Sequence, residues 1–163
     1  MLTKRKGCWL VLASLCLGTG SVAAAGEAPA FAGKWTLDLA SMPIPPEARP
    51  ASVTVAFEPE GADGLRTTYV ITAKDRSERR MTSREKLDGI AVPIEGDQIE
   101  ADSAAFSNPA PGVLVMGLSK DGRPGSVRVY TVASDGRSMT ESAANVGDDG
   151  KPFIRTFRWI KAN

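Results

Sequence analysis

The stretch 113-VLVMGLSKDGRPGSVRVYTVASDGRSMTESAANVGDDGKPFIRTFRWI-160 contains the most regular pattern in the sequence. Its apolar residues alternate with polar ones in four runs, which predicts strands at Val113–Ser119, Ser126–Val132, Met139–Asn145 and Phe153–Ile160. The turns between these runs hold Asp-Gly pairs that start at residues 121, 135 and 149, fourteen residues apart. Asp-Gly is a preferred hairpin sequence, so the stretch predicts consecutive antiparallel hairpins, which is a meander.

The same alternation continues toward the N-terminus. It predicts strands at Gly33–Leu39, Ser52–Glu58, Leu65–Ala73, Ile90–Ile94 and, more briefly, Gln98–Ala101. The charged segment 74–86 is interpreted as a loop followed by a solvent-facing strand. The segment Ser107–Gly112, rich in Ser, Asn and Pro, is interpreted as a loop.

An all-β fold follows, with about eight to ten strands in meander order. A flat sheet of this kind would leave two unpaired edges, and closure into a barrel removes them. No window of the sequence carries a sustained 3.6-residue apolar period, so a helical bundle is not expected.

The first 25 residues are typical of a secretory signal peptide. Lys4, Arg5 and Lys6 precede an apolar run from Cys8 to Leu17, and small residues follow up to Ala25. That run of ten residues is shorter than the roughly 20 needed to span a membrane, so we expect cleavage after Ala25 and no transmembrane anchor afterwards. The remaining chain, 26–163, is predicted to be a single exported domain, periplasmic or extracellular.

The composition of residues 26–163 excludes several classes of function. This segment has no His and no Cys, which removes Ser-His-Asp and Cys-His catalysis and the usual zinc, copper and haem ligand sets. Its 17 basic and 19 acidic residues give a formal charge of −2, without the basic excess of a nucleic-acid-binding protein. We therefore expect no enzyme activity, no metal, no cofactor and no nucleic-acid partner.

Paired carboxylates are the one catalytic arrangement that this composition leaves open. Most of the acidic candidates fall at strand ends or turns, where a solvated carboxylate is the usual interpretation. The candidates are Asp38, Glu58, Glu95, Asp97, Glu100, Asp102 and Glu141.

The stretch Phe31–Ala40, which contains Gly33-Lys34-Trp35-Thr36-Leu37-Asp38 and precedes a Pro-rich loop, resembles the first strand of exported bacterial lipocalin-like, or calycin-like, proteins. The likeness extends to Leu87-Asp88-Gly89, Val92-Pro93, Gly96, Ser134–Thr140 and Asp149–Pro152. These are turn and core motifs, so the resemblance implies a lipocalin-like barrel without implying an activity. In lipocalins the Gly-x-Trp indole closes one end of the barrel against a late Arg. The resemblance thus implies that Gly33 and Trp35 close this barrel with Arg155 or Arg158.

Aromatic residues are the strongest candidates for binding. Six of them lie on predicted strands, where they either line a cavity for a small apolar ligand or fill the barrel as core. They are Trp35, Phe57, Tyr69, Tyr130, Phe157 and Trp159.

Two functions therefore remain open at the level of sequence. The first is a non-enzymatic binding protein of the cell envelope that holds a small apolar ligand or a lipid in its barrel. The second is a solid barrel that acts as an inhibitor or an envelope assembly or stress factor, through contact between its outer surface and another envelope protein. The two differ in whether the barrel contains a cavity.

Overall fold

The computed structural model describes residues 28–61 and 63–162, and the predicted signal peptide lies outside this range. The described chain forms eleven strands and two short 3₁₀ helices, at Leu39–Ser41 and Pro46–Ala48. The strands are β1 (Gly33–Leu37), β2 (Ser52–Glu60), β3 (Gly64–Thr72), β4 (Glu78–Lys86), β5 (Val92–Pro93), β6 (Glu95–Gly96), β7 (Ser103–Ala110), β8 (Val113–Lys120), β9 (Arg123–Val132), β10 (Ser138–Val146) and β11 (Pro152–Lys161).

All eleven strands belong to one antiparallel sheet in the order β5-β7-β8-β9-β10-β11-β1-β2-β3-β4-β6. The strands β7 to β11 pair consecutively, as the Asp-Gly spacing predicts for the last four, and so do β1 to β4, and β11 pairs back onto β1 with Trp35 opposite Lys161. The expected all-β antiparallel fold is confirmed, with eleven strands where about eight to ten were expected, and the sheet curls into a nearly closed barrel.

The seam of the barrel is closed by the segment 92–96. Its first half, β5, pairs with β7, and its second half, β6, pairs with β4. Between the two halves Ile94 is buried, and its backbone N–H donates to the carbonyl oxygen of Asp102 over 2.8 Å. One short segment thus covers both edges of the sheet, where unpaired backbone groups would otherwise face solvent.

The connections alternate between the two ends of the barrel. We call the end that carries residues 38–51, 73–77, 97–102, 121–122 and 147–151 the loop end. At the opposite, closed end, Phe31, Trp35, Phe57 and Leu65 are fully or almost fully buried. Phe31 and Phe57 meet there edge to face, with ring centroids 6.0 Å apart. Side chains therefore fill the closed half of the interior.

Two local predictions are wrong. Residues Gln98–Ala101 are not a strand, because the chain there turns over the loop end with the backbone N–H of Ile99 bonded to Asp97. The expected loop at Ser107–Gly112 is largely part of β7. Its pairing with β8 shifts register between Ser107 and Ala110, and such an irregularity accommodates Pro109, which has no N–H for a ladder.

Candidate ligand-binding site

The loop half of the barrel contains a cavity of about 210 Å³. This is an order of magnitude above the roughly 10–15 Å³ that one water molecule needs. Most of its wall is apolar, from Leu37, Val53, Ile71, Met81, Ile94, Ala101, Ala104, Phe106, Met116, Leu118 and Phe157. The barrel is therefore not solid, which corrects the alternative of an interior filled throughout by side chains.

One buried carboxylate, Glu141 of β10, lies in the wall of this cavity. Its side chain is only 2% exposed, and the alternation of β10 places it inward between Met139 and Ala143. The indole nitrogen of Trp159, on the neighbouring strand β11, donates to Oε2 of Glu141 over 2.9 Å. Burial raises the pKa of Glu141, while the nearby Arg128 guanidinium acts in the opposite direction.

Arg128 of β9 links this carboxylate to the loop end. Its Nη1 lies 3.4 Å from Oε1 of Glu141, and its Nη2 donates to Oε1 of Glu100 in the segment 97–102. Its Nε donates to the Ser126 hydroxyl over 3.4 Å. The Arg128 side chain is 18% exposed, and each of its three guanidinium nitrogens faces a protein oxygen within a largely enclosed space.

Two tyrosines complete the polar cluster. The Tyr69 and Tyr130 hydroxyls share a hydrogen bond across the barrel, and Tyr130 lies opposite Glu141 in the strand register. Burial, with the Glu141 charge next in importance, raises the pKa of both phenols. Both therefore stay neutral at physiological pH and offer hydrogen bonds without charge. The Tyr69 ring also meets Trp159 edge to face, with centroids 6.2 Å apart.

The loop end of the cavity is lined by Met42, Glu100, Asn145 and Arg155. Arg155 is exposed, and its guanidinium carbon lies 4.9 Å from the centroid of the Phe153 ring. The cavity thus runs from a polar, solvent-facing end, along apolar walls, to the cluster around Glu141.

Three of the six aromatic residues proposed as ligand contacts line the cavity: Tyr69, Phe157 and Trp159. Tyr130 is fully buried, does not line the cavity, and bonds to the wall residue Tyr69. Trp35 and Phe57 are buried in the closed half, among the side chains that fill it. Of the six predicted aromatic contacts, three thus form part of the cavity wall and three belong to the packed interior.

The barrel closure differs from the expected one. The cation over the Trp35 ring is Lys161, with Nζ 5.2 Å from the ring centroid, and neither Arg155 nor Arg158 takes that position. The Trp35 indole nitrogen instead donates to the carbonyl oxygen of Phe31 over 2.8 Å. Gly33, with φ of +121°, allows this arrangement, because a Cβ there would lie 3.1 Å from the Lys161 side chain. Arg158 is exposed on the outer face of β11.

Sequence reasoning missed Arg128 as a site residue and treated Glu141 and Glu100 only as candidates for paired-carboxylate chemistry. It also missed Glu85 on β4, which is buried near the closed end and accepts a hydrogen bond of 2.5 Å from the Thr67 hydroxyl. Period-two alternation could have found Glu85 and Glu141, because each occupies an inward position of its strand. The other acidic candidates do not line the cavity.

Residues 28–61 and 63–162 contain neither a metal-binding cluster of acidic side chains nor a helix that could span a membrane. No cluster of three or more His, Cys, Asp or Glu side chains there could hold a metal ion. No helix in that part of the chain has the length and apolar character to cross a membrane.

Comparison with solved structures identifies the fold. The fluorescent protein UnaG aligns over 81% of this chain and 97% of its own, with a TM-score of 0.50 and 16% identity. The chain has a calycin-like β-barrel fold. A mutant of UnaG gives a TM-score of 0.52 at 14% identity, over 81% of this chain and 96% of that one. At such low identity the likeness concerns the fold alone.

The sequence of this calycin-like barrel matches no family model and no curated protein. Its site must therefore be interpreted from its own residues.

Proposed function

We propose that this calycin-like barrel binds one small, largely apolar ligand in its loop half, without catalysing a reaction. The cavity between Phe106, Met116 and Trp159, with apolar walls and a few convergent polar groups, carries the proposal. Such a combination is typical of small-molecule sites. The closed half, where Trp35 and Phe57 are packed, supplies a rigid base for the site.

Adjacent alanines on β10 provide a matched test. Ala143 is buried in the cavity wall, and Ala144, its neighbour, is exposed on the outer face. Ala143→Phe would place a ring in the cavity, whereas Ala144→Phe adds the same ring to the surface. We expect a fluorescent apolar dye to bind wild type and Ala144→Phe alike, and to bind Ala143→Phe at least about tenfold more weakly.

Equal dye affinity for all three proteins would contradict the proposal, since it would place the dye outside the barrel. The urea unfolding midpoints of both variants serve as the folding control, because overpacking a core costs about 1–3 kcal/mol.

We further propose that the binding protein acts in the cell envelope or outside the cell. The support is the sequence of residues 1–25, with its basic start, short apolar run and small residues before Gly26. Intact mass measurement of protein from its native source tests this proposal. A chain that begins at Gly26 is expected, and a chain that retains residues 1–25 would contradict export by cleavage.

A second candidate function is contact with an envelope protein through the outer surface. Val127, Ala144 and Ile154 lie side by side across β9, β10 and β11, and Val127 and Ile154 are exposed. Crosslinking in the native cell tests this candidate. A partner crosslinked to wild type but lost from Ile154→Glu supports it, and the absence of any crosslinked envelope protein contradicts it.

A further inference from the structure

One oxygen of the buried Glu141 carboxylate has no hydrogen-bond partner. Oε2 accepts from the Trp159 indole, whereas no donor within residues 28–61 and 63–162 meets hydrogen-bond geometry at Oε1. Arg128 Nη1 is 3.4 Å from Oε1 and contributes charge attraction without a hydrogen bond. A buried acceptor left in this state costs about 1–3 kcal/mol, and more when it is charged.

Arg128 is not free to receive an anion. Its guanidinium lies between two carboxylates, Glu141 and Glu100, and its third nitrogen bonds Ser126. With Glu141 in the ionised form, which Arg128 and the Trp159 N–H favour against the effect of burial, two anionic side chains lie close to this one cation, while Tyr69 and Tyr130 add none at physiological pH. A ligand carboxylate here would face Glu141 without an uncommitted positive charge to offset the repulsion.

We propose that the inner end of the ligand is an uncharged hydrogen-bond donor, a hydroxyl or N–H group, that donates to Oε1 of Glu141. This inference rests on the binding function proposed above and specifies its ligand class: an apolar molecule with a donor at the end that enters first. The remaining body of the ligand contacts the apolar wall that includes Met116 and Leu118.

The hydrogen-bond requirement follows from the state of the carboxylate. A ligand group that packs against Oε1 and can donate satisfies this buried acceptor, whereas a group without a donor leaves it unpaired. An ether oxygen or a carboxylate accepts only and cannot donate. A hydroxyl or an amide N–H can donate to Oε1. The ligand classes therefore differ in their capacity to donate a hydrogen bond rather than in size.

Glu141→Gln reverses the hydrogen-bonding role of this side chain toward the cavity. The Trp159 indole is a donor only, so it requires the amide oxygen of the glutamine at the place of Oε2. The amide nitrogen then occupies the position of Oε1 and presents N–H groups to the cavity. The substitution thus replaces an acceptor with a donor at this one point, with little change in volume.

The probes are 1-octanol, octyl methyl ether and octanoate, which share a chain and differ in donor capacity and charge. Each is measured by displacement of the apolar dye from the full protein. For wild type we expect octanol to bind about tenfold or more tightly than the ether, because one hydrogen bond to a charged group contributes an affinity gain of that size. We expect octanoate to bind weakly. In Glu141→Gln the octanol and ether affinities should become equal within about twofold, because the glutamine N–H donates to either oxygen.

Glu85→Gln is the matched control. Glu85 is also a buried carboxylate with an unpartnered Oε2 among the described residues, but it does not line the cavity. Its substitution should leave the octanol-to-ether ratio unchanged. The wild-type ratio tests the inference even if Glu141→Gln fails to fold.

Three results would overturn the inference. Equal affinities of octanol and the ether for wild type would refute the donor requirement and leave the proposed binding function standing. Octanoate as the tightest-binding of the three probes would do the same. Dye binding that Ala143→Phe does not weaken, with no displacement by any probe, refutes the proposed binding function itself, and the inference with it.

Discussion

Trp159 and Glu141 form a buried hydrogen bond of 2.9 Å between neighbouring strands, from the indole nitrogen to Oε2. This bond holds the carboxylate in one orientation within the cavity wall and leaves its other oxygen, Oε1, buried without a hydrogen-bond partner among the described residues. Because the indole can only donate, it also fixes which end of any amide at position 141 faces the cavity. The polarity of the site thus depends on one aromatic residue of β11.

Trp159→Phe should lower the free energy of unfolding by more than the loss of packing alone would. It leaves Oε2 of Glu141 buried without a donor, at a cost of about 1–3 kcal/mol in the free energy of unfolding. The same change made in a Glu141→Leu background should cost less by that amount, since no carboxylate remains to be satisfied. Urea unfolding of the two single variants and the double variant measures the difference, and additive effects would contradict the account.

Glu85→Gln should stabilise the protein increasingly as pH rises. Burial raises the pKa of Glu85 above its ordinary value of 4.5. The folded state therefore holds this proton more tightly than the unfolded state, and the stability that it contributes at acid pH is lost as pH rises through the folded-state pKa. Urea unfolding from about pH 4 to about pH 8 should show the free energy of unfolding of the variant rising relative to that of wild type. The rise should begin near the ordinary pKa of Glu.

The matched control for this pH dependence is Glu47→Gln, which removes a charge from the exposed surface. Its stability relative to wild type should not follow the Glu85→Gln trend. A Glu85→Gln difference that stays constant or falls with pH would contradict the assigned burial effect.

The sequence predicted the meander and the inward face of most long strands, because period-two alternation and Asp-Gly turns are local signals. The last strand illustrates this: Phe157 and Trp159 point inward, and Ile154 and Ile160 outward, as alternation requires. The cavity was not predictable, since alternation identifies an inward side chain without saying how much of the interior it fills. Tyr69 lines open space, whereas Phe57 on the adjacent strand is packed core.

The polar cluster was beyond sequence reasoning for a related reason. Pairing of β9 with β10 brings Arg128 and Glu141 together, in a register that no local pattern reveals, and Glu100 reaches them from the distant segment 97–102. The wrong partner for Trp35 has a similar origin. Lys161, the last residue of β11, lies directly opposite Trp35 in the register, which no local pattern reveals.

Lys161→Met should weaken the closed end. Removing the ammonium group from the Trp35 ring should cost about 0.5–1 kcal/mol of unfolding free energy. Arg158→Met, on the outer face of the same strand, should be close to neutral. Thermal unfolding compares the two variants. A larger loss of stability from Arg158→Met would support closure of the barrel by an arginine and contradict the Lys161 assignment.

The seam should be the easiest part of the barrel to open. The segment 92–96 pairs by only two residues with each edge, and the Arg79–Asp97 ion pair, with bonds of 2.7 and 2.9 Å, anchors its C-terminal side. This pair holds the pKa of Asp97 at about 2, so the anchor is present above the ordinary Asp range and is lost as pH falls toward 2. Asp97→Asn should therefore speed hydrogen exchange at neutral pH at the amides of Ile94 and of residue 97, which donate to the carbonyl oxygens of Asp102 and Arg80, with β10 amides unchanged. Uniform acceleration across the barrel would contradict a local seam.

The most direct test of the central claim is native mass spectrometry of the wild-type protein, Ala143→Phe and Ala144→Phe, each purified from the native cell. The account predicts one stoichiometric extra mass on wild type and Ala144→Phe, released on denaturation, carrying a hydroxyl or N–H group and absent from Ala143→Phe. A bare protein mass for wild type, or an extra mass that persists unchanged in Ala143→Phe, would contradict a ligand held in the loop half of the barrel.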